Sequence, residues 1–345
     1  MSTSTTLSSM SRETCEIPQA LERLVRESGE EMRAAGAALR ALDPSVIVTI
    51  ARGTSDHAAG FLKYAIELQT GVPVASLGPS LASIYGRTLK LKGAAALGIS
   101  QSGKSPDIVA LAEMARASGA LSIALVNTMP SPLADACERA IALHAGPEKA
   151  IAATKSFFNS IAAGLFILAE WTGDAALSQA LERLPEQAEA ALALDWSPLS
   201  DRLGTASSLY VLGRGPSLAI AGEAALKCKE TCELHAEAYS SAEVLHGPVS
   251  LVAERFPVLL FCARDEARDA VQDIARRLAL KSSEVFINAD GVGSAHALPR
   301  VEGAHPLTDA LLQIIPYYRM VELLSRERNL DPDAPAALQK VTETL

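Results

Sequence analysis

An arginine–glycine turn occurs twice in this chain of 345 residues, in the same local setting each time. Arg52-Gly53-Thr54-Ser55 with Ala59-Gly60 recurs as Arg214-Gly215-Pro216-Ser217 with Ala221-Gly222. Both parts shift equally, from 52 to 214 and from 60 to 222, an offset of 162 residues. Each turn follows an apolar run, SVIVTIA at 45–51 and SSLYVLG at 207–213, and leads into a helical pattern. The chain therefore reads as two copies of one α/β unit, and its length allows about two domains at roughly 150 residues each.

Composition narrows the class. Hydrophobic residues make up 49% and charged residues 21%, enough for packed cores, so neither a disordered tail nor a disulfide-stapled mini-protein is expected. Aromatics are only 4%, which suits helices packed closely on a sheet better than a sandwich of aromatic-rich strands. Forty acidic against 31 basic residues leave a net charge of −9, which repels polyanions and argues against a nucleic-acid partner. The five cysteines, at 15, 137, 228, 232 and 262, are odd in number and scattered, as in a reducing compartment. Cys228 and Cys232 lie one helical turn apart, but no second pair stands at zinc-site spacing. They read as packing residues, and no metal or other cofactor is expected. The N-terminus lacks an apolar signal core, and the longest greasy stretch, 161–171, is shorter than the about 18 residues of a membrane span. A soluble cytoplasmic protein with no membrane partner is expected.

Along the chain, residues 1–17 read as a loose Ser/Thr-rich arm and Pro18–Leu42 as an amphipathic helix. Ser45–Ala51, Ala94–Ile99 and Leu121–Val126 read as buried strands, alternating with helices at Asp56–Leu68 and Pro106–Ser118. This alternation argues for a parallel sheet. Thr154–Trp171 has no strong polar face and reads as a buried helix, and Gly173–Trp196 as an acidic connecting helix. The expected organisation is a first domain at 18–172, a connecting helical segment at 173–200, a second domain at 201–330 and a tail at 331–345.

In open parallel sheets, ligands bind beyond the carboxyl ends of strands, where helix N-termini offer free amides and partial positive charge. Two turns of the first copy qualify: Gly53-Thr54-Ser55, and Gly98 to Ser105 (GISQSGKS) ahead of the helix at Pro106. Ser100, Gln101, Ser102 and Ser105 offer hydroxyl and amide donors to a phosphate without a metal. The same eight residues satisfy G-x-x-x-x-G-K-[ST], so a nucleoside triphosphatase is a rival. Against it, Ser-Gln-Ser fills the loop, and the nearest strand ending in an acid, Val285–Asp290, lies far downstream. In the second copy, Glu223, Lys227 and Glu230 fall on one helix face, ordinarily a solvated ion-pair stripe. His235 and His246 follow. The His246-Gly247-Pro248 turn sets an imidazole on a constrained corner, where it can move protons at neutral pH.

Six segments in order carry a resemblance: ARGTSDHAAG (51–60), ISQSGKSPD (99–107), AATKSF (152–157), LGRGPSLAIAGEAALKCKE (212–230), LHAEAYSSAEVLHGP (234–248) and LQKVTETL (338–345). Together they resemble the paired sugar isomerase (SIS) domain family, in particular the isomerase half of glucosamine-6-phosphate synthase. The resemblance implies two flavodoxin-like three-layer α/β domains with parallel sheets and a C-terminal catalytic tail. It implies a sugar-phosphate cradle of Ser100, Gln101, Ser102 and Ser105, with Thr54, Ser55 and Ala153 at further substrate-binding positions. Glu230 is then the base that moves a proton between C1 and C2, Lys227 its assistant at the hydroxyl, and His246 the ring-opening group supplied by the second subunit of a homodimer. Lys340 is the tail lysine that approaches the open-chain carbonyl.

The departures from the synthase pattern also inform. No glutaminase segment with a terminal Cys nucleophile is expected, since Met1 leads into the Ser/Thr arm. Lys104 replaces a Glu, Ala153 a Ser, and Gln339 an Ala. These changes resemble stand-alone deaminases of the family. The expected reaction is glucosamine 6-phosphate and water to fructose 6-phosphate and ammonia. A fructosamine-6-phosphate deglycase would use the same acid–base set, and a non-catalytic phosphosugar sensor would need only the phosphate loop.

Overall fold

The computed structural model describes residues 7–336 and residue 340. Its first half contains α1 (Ser9–Cys15), α2 (Ile17–Leu42), β1 (Ile47–Ile50), α3 (Thr54–Thr70), β2 (Val74–Ser76), α4 (Ser80–Ser83), β3 (Ala95–Ser100), α5 (Pro106–Ala117), β4 (Leu121–Val126), α6 (Pro132–Ala136), β5 (Arg139–Ala142) and α7 (Lys155–Thr172). There follow α8 (Ala175–Glu182), α9 (Leu184–Leu192), α10 (Ser197–Leu203), β6 (Ser208–Gly213), α11 (Pro216–Cys232), β7 (His235–Ser240), β8 (Val258–Leu260), α12 (Arg268–Ala279), β9 (Val285–Ile287), β10 (His296–Ala297), α13 (Pro306–Leu312) and α14 (Ile314–Glu327).

Two compact units result, each built on a five-stranded parallel sheet. One comprises 19–146 and 156–185, with strand order β2-β1-β3-β4-β5. The other gathers 147–155 and the described parts of 1–18 and 186–340 around β7-β6-β8-β9-β10. Read outward from the first strand of each copy, the orders are the same, the doubly wound pattern in which the chain reverses direction across the sheet after its second strand. The fold is α/β with two flavodoxin-like domains. The central strands carry the apolar runs that mark a sheet covered on both faces: β1 is buried throughout, and β3, β4 and β6 are buried except at one end. The two repeated turns match in backbone as well, Gly53 at φ 54, ψ −131 and Gly215 at φ 57, ψ −135. Only glycine holds such a conformation readily.

Three expectations change. Residues 9–15 of the supposed loose arm are helical, with Met10 and Thr14 without solvent exposure, and Ser8 caps the helix by accepting from Ser11 N–H. The connecting helix expected at 173–196 is two helices, because Asp174 caps a new start at α8 and Pro185 stands in the first turn of α9. The boundary expected at 200/201 falls inside α10. The compact units are also discontinuous, because 147–155 and the N-terminal helix pack with the second sheet's unit. The buried helix at 154–171 does form, as α7, lined by Phe157, Phe158, Ile161 and Leu165. No described helix is long and apolar enough to cross a membrane.

Candidate functional site

In the first sheet's unit, β1 and β3 are neighbours, and the order reverses between them. A crevice opens at such a point beyond the strand ends, and both Ser/Thr-bearing turns lie there. Ser100 ends β3 and its hydroxyl accepts from Gly103 N–H at 2.9 Å, while Ser102 accepts from Lys104 N–H at 3.3 Å. The loop is anchored from outside, since Thr128 N–H donates to Gln101 O and Leu133 N–H to Gly103 O, both at 3.0 Å. Gly103 sits at φ +65, and a Cβ there would lie 2.4 Å from Ser131 Oγ. Ser105 occupies the N-cap of α5, yet its side chain makes no capping bond, and Gly53 before α3 has no side chain to cap with. Gln101, Ser102, Ser105, Thr54 and Ser55 are half-buried, and Lys104 is exposed. Two helix N-termini and several half-buried hydroxyl residues thus lie beyond the carboxyl ends of β1 and β3, a setting suited to an anion in a chain of net charge −9.

Arg52 joins the two turns. Its Nε donates to Oδ2 of Asp107 at 2.6 Å, and the Asp107 side chain is fully buried in the first turn of α5. The guanidinium offsets a carboxylate that would otherwise repel a phosphate there. In the second sheet's unit the corresponding loop, after β8, carries Asp265 and Glu266 instead of serines. Burial, with Glu266 adding, raises the Asp265 carboxyl's pKa, and two acids in place of serine hydroxyls make that loop a poorer anion site than its counterpart.

That unit holds the Glu–Lys–Glu stripe of α11. Glu223, Lys227 and Glu230 do lie along one face of α11, but the stripe is not solvated. The side chains of Glu223 and Lys227 have no exposure and that of Glu230 has 21%. Lys227 Nζ is 3.3 Å from Glu223 Oε1 and donates a short hydrogen bond to Glu230 Oε2. Tyr318, from α14, donates to Glu223 Oε1 at 3.0 Å. Burial pushes the Glu223 carboxyl up to about 7 against the pull of Lys227, with Glu230 adding to the rise. Burial also works against the Lys227 ammonium, but the two carboxylates outweigh it and hold its pKa above the ordinary value. The result is a buried cation between two acids, one of which reaches solvent.

Lys340 belongs to the same unit. Its Nζ donates to Ala150 O and lies 3.9 Å from the fully buried side chain of Glu148. Burial pushes its pKa below that of an ordinary lysine, Glu148 and Glu13 opposing and Lys227 reinforcing. Ala153 is half-buried beside Thr154, whose N–H donates to Glu148 Oε1 at 3.0 Å, so it presents only backbone polar groups. His246 is exposed at the end of a 3₁₀ turn, Glu243–His246, and no hydrogen bond or ion pair among the described residues ties it to Glu230 or Lys227. His235 opens β7 with Nδ1 3.0 Å from Ser208 Oγ at the sheet edge, a structural position. Gln339 lies outside the described residues. Asp290, the rival triphosphatase acid, is exposed and paired to Arg300 at 2.8 Å. Cys228 and Cys232 face α14, at Tyr317 OH and Val321 O.

Sequence reasoning left Arg52, Asp107, Glu148, Glu13 and Tyr318 out of the site. Arg52 had a signal, being the first residue of the repeated turn. The others are polar residues whose burial only the fold reveals.

The fold and these groups define a doubly wound α/β protein with an anion-suited loop and a buried acid–base cluster. A model of the SIS domain matches residues 43–169 and 203–287, more than half of the sequence, and the chain belongs to the SIS domain family. It is 33% identical over 301 residues to a glutamine–fructose-6-phosphate aminotransferase (isomerizing) of Sulfurisphaera tokodaii, covering 85% of this chain and 49% of that protein. It is 30% identical over 344 residues to the enzyme of the same name from Pyrobaculum aerophilum, covering 92% of this chain and 56% of that protein. The chain thus spans about half the length of the curated relatives it matches. Among solved structures, a protein of Silicibacter pomeroyi DSS-3 described as a candidate phosphosugar isomerase is 50% identical, with a TM-score of 0.91 over 95% of this chain and all of that one. A glucosamine-6-phosphate deaminase from Thermotoga maritima shares the fold at 19% identity, with a TM-score of 0.77 over 98% of this chain and all of that one.

Proposed function

We propose that this chain is an aldose–ketose isomerase of phosphorylated amino sugars that works as a deaminase, taking glucosamine 6-phosphate and water to fructose 6-phosphate and ammonia. The observation that carries the reading is the burial of Glu223 and Lys227 behind a Glu230 that reaches solvent. A surface ion-pair stripe needs no such burial, which costs several kcal/mol per ion unless the partners repay it. Acid–base work on a carbon acid needs a carboxylate held beside a fixed cation.

In this reading Ser100, Gln101, Ser102 and Ser105, with Thr54, Ser55 and the backbone at Ala153, hold the sugar phosphate. His246, serving a second copy of the chain in a homodimer, passes the anomeric hydroxyl proton to the ring oxygen. Glu230 then takes the C2 proton as the C1–C2 double bond forms, and Lys227 gives a proton to the oxygen on C1. Glu230 returns its proton to C1, and the iminium left at C2 gives one N–H proton back to Lys227, leaving an imine. Water adds there, and the carbinolamine expels ammonia. Lys340 stands near the carbonyl of the open chain. The relatives' names, isomerizing aminotransferase and phosphosugar isomerase, support the same class of chemistry.

The test is to incubate the purified chain with glucosamine 6-phosphate and follow ammonium and fructose 6-phosphate together. Equal amounts of both are expected, with Glu230→Gln slowed at least a hundredfold. Binding without turnover would make the chain a sensor. Preferential consumption of a fructosamine 6-phosphate would make it a deglycase, and full activity in Glu230→Gln would refute the assigned base.

A further inference from the structure

Three segments far apart in sequence close a hydrogen-bonded ring beneath the backbone that receives Lys340. The carboxylate of Asp333, in the tail, accepts from Ser9 N–H at 2.6 Å and Met10 N–H at 2.8 Å, the first amides of α1. The backbone oxygen of Asp333 accepts from Ile151 N–H at 3.3 Å. Further along α1, Glu13 is 5% exposed and its carboxylate accepts from the N–H groups of Lys149 and Ala150, the latter at 3.3 Å to Oε2. Ala150 supplies the carbonyl to which Lys340 donates. Ser8 Oγ fastens the start of α1 to α14 by donating to Glu322 Oε1 at 2.6 Å.

The choice of residues points beyond packing. An apolar side chain would fill the Glu13 position without a desolvation cost, whereas a carboxylate there is tolerable only because loop amides with no helix or sheet partner donate to it. Asp333 likewise spends its charge on helix amides that a local cap could have taken. Neither residue lies in the stretches matched by the SIS domain.

We propose that Glu13 and Asp333 are positioning residues for Lys340, setting the 149–151 backbone and the point from which the tail departs, and thereby where the Lys340 amine is presented. The consequence for turnover rests on the function proposed above, but the consequence for Lys340 itself does not. Among the described residues the charged groups that weigh most on Lys340 are Glu148, Glu13, Lys227 and Glu230. Asp333→Asn leaves all four in place, so a change in Lys340 titration in that variant reports loss of its position and burial.

The experiment uses the full chain with Asp333→Asn and, separately, Glu13→Gln. Without any sugar, amide hydrogen exchange at 149–151 should quicken about tenfold in either variant, the equivalent of one hydrogen bond to a charged group. In Asp333→Asn the pH midpoint for acetylation of Lys340 by acetic anhydride, read by mass spectrometry, should rise toward that of an ordinary solvent-exposed lysine. With glucosamine 6-phosphate, kcat should fall about tenfold with KM changed less than threefold. Wild-type exchange at 149–151 together with an unmoved Lys340 midpoint would overturn the positioning role, as would a kcat loss accompanied by an unmoved midpoint. A wild-type chain that releases no ammonium would sink the proposed function, while exchange and acetylation would still decide this one. Should one variant fail to fold, the other carries the test.

Discussion

The Nζ of Lys227 lies 3.3 Å from Oε1 of Glu223, and neither side chain has any solvent exposure. Burial raises the Glu223 carboxyl from 4.5 to about 7 despite that neighbour. A carboxyl whose folded pKa exceeds its unfolded one keeps an extra proton in the folded state between those values, so its contribution to stability falls as pH rises through the window. Between about pH 4.5 and 7 the group should therefore remove up to about 1.4 kcal/mol of stability per pH unit. Denaturant unfolding at half-unit pH intervals measures the slope. Glu223→Gln should flatten it relative to wild type, and an unchanged slope would assign the titration elsewhere.

Arg52 and Asp107 tie the β1–α3 turn to the start of α5 through a 2.6 Å hydrogen bond onto a buried carboxylate. Arg52→Ala leaves that carboxylate without its guanidinium and frees the two turns to separate. Stability should drop by about 2 kcal/mol, the scale of a hydrogen bond to a charged group, with the guanidinium's partial exposure keeping it from being larger. Under the proposed function the KM for a sugar phosphate should rise more than kcat falls, because Arg52 braces the loop proposed to hold the phosphate and is not among the residues proposed to move protons. Thermal melts and steady-state kinetics on one preparation separate the two effects.

Thiol accessibility tests how α11 packs on α14. Burial pushes Cys137, Cys228 and Cys262 up to about 11 and Cys232 further still, whereas Cys15 is exposed. At pH 8 a thiol with a pKa near 11 is thiolate about one part in a thousand, before any steric block is counted. Iodoacetamide on the native chain should label Cys15 alone, as read by peptide mass spectrometry. Labelling of Cys228 or Cys232 without denaturant would mean that the packing against Tyr317 and Val321 opens in solution.

The legible part of this fold was its apolar centre. SVIVTIA, the 94–99 run and the 121–126 run became β1, β3 and β4 because a parallel sheet covered on both faces needs unbroken apolar strands. The edge strands escaped notice: β10 has two residues, β2 has three, and β5 and β7 carry polar residues that an edge tolerates. For the site, hydroxyl-rich turns and an i, i+4, i+7 stripe could be read from spacing. Burial of the stripe could not, because it depends on Tyr318 and its helix arriving from about ninety residues downstream. The same holds for Glu13, which reads as a solvated acid of a loose arm until Lys149 and Ala150 are seen to donate to it.

Two glycines of the anion-suited strand edge should respond differently to one added methyl. At Gly103, φ +65, an alanine Cβ would lie 2.4 Å from Ser131 Oγ and 2.9 Å from Val126 Cγ1. Ser131 cannot yield freely, since its Oγ caps α6 by accepting from Ala134 N–H. At Gly53, φ +54 and ψ −131, nothing lies within 4 Å of the added carbon, so alanine there meets only the backbone penalty of a conformation glycine alone holds readily. Gly53→Ala should cost about 1–3 kcal/mol. Gly103→Ala should cost about 1–3 kcal/mol from backbone strain alone, with the steric clash adding to it, and should weaken sugar-phosphate binding about tenfold or more by displacing Ser102 and Ser105. Calorimetric titration with glucosamine 6-phosphate beside thermal melts distinguishes the two. If both variants bind alike, the 100–105 loop is not where the phosphoryl group is held.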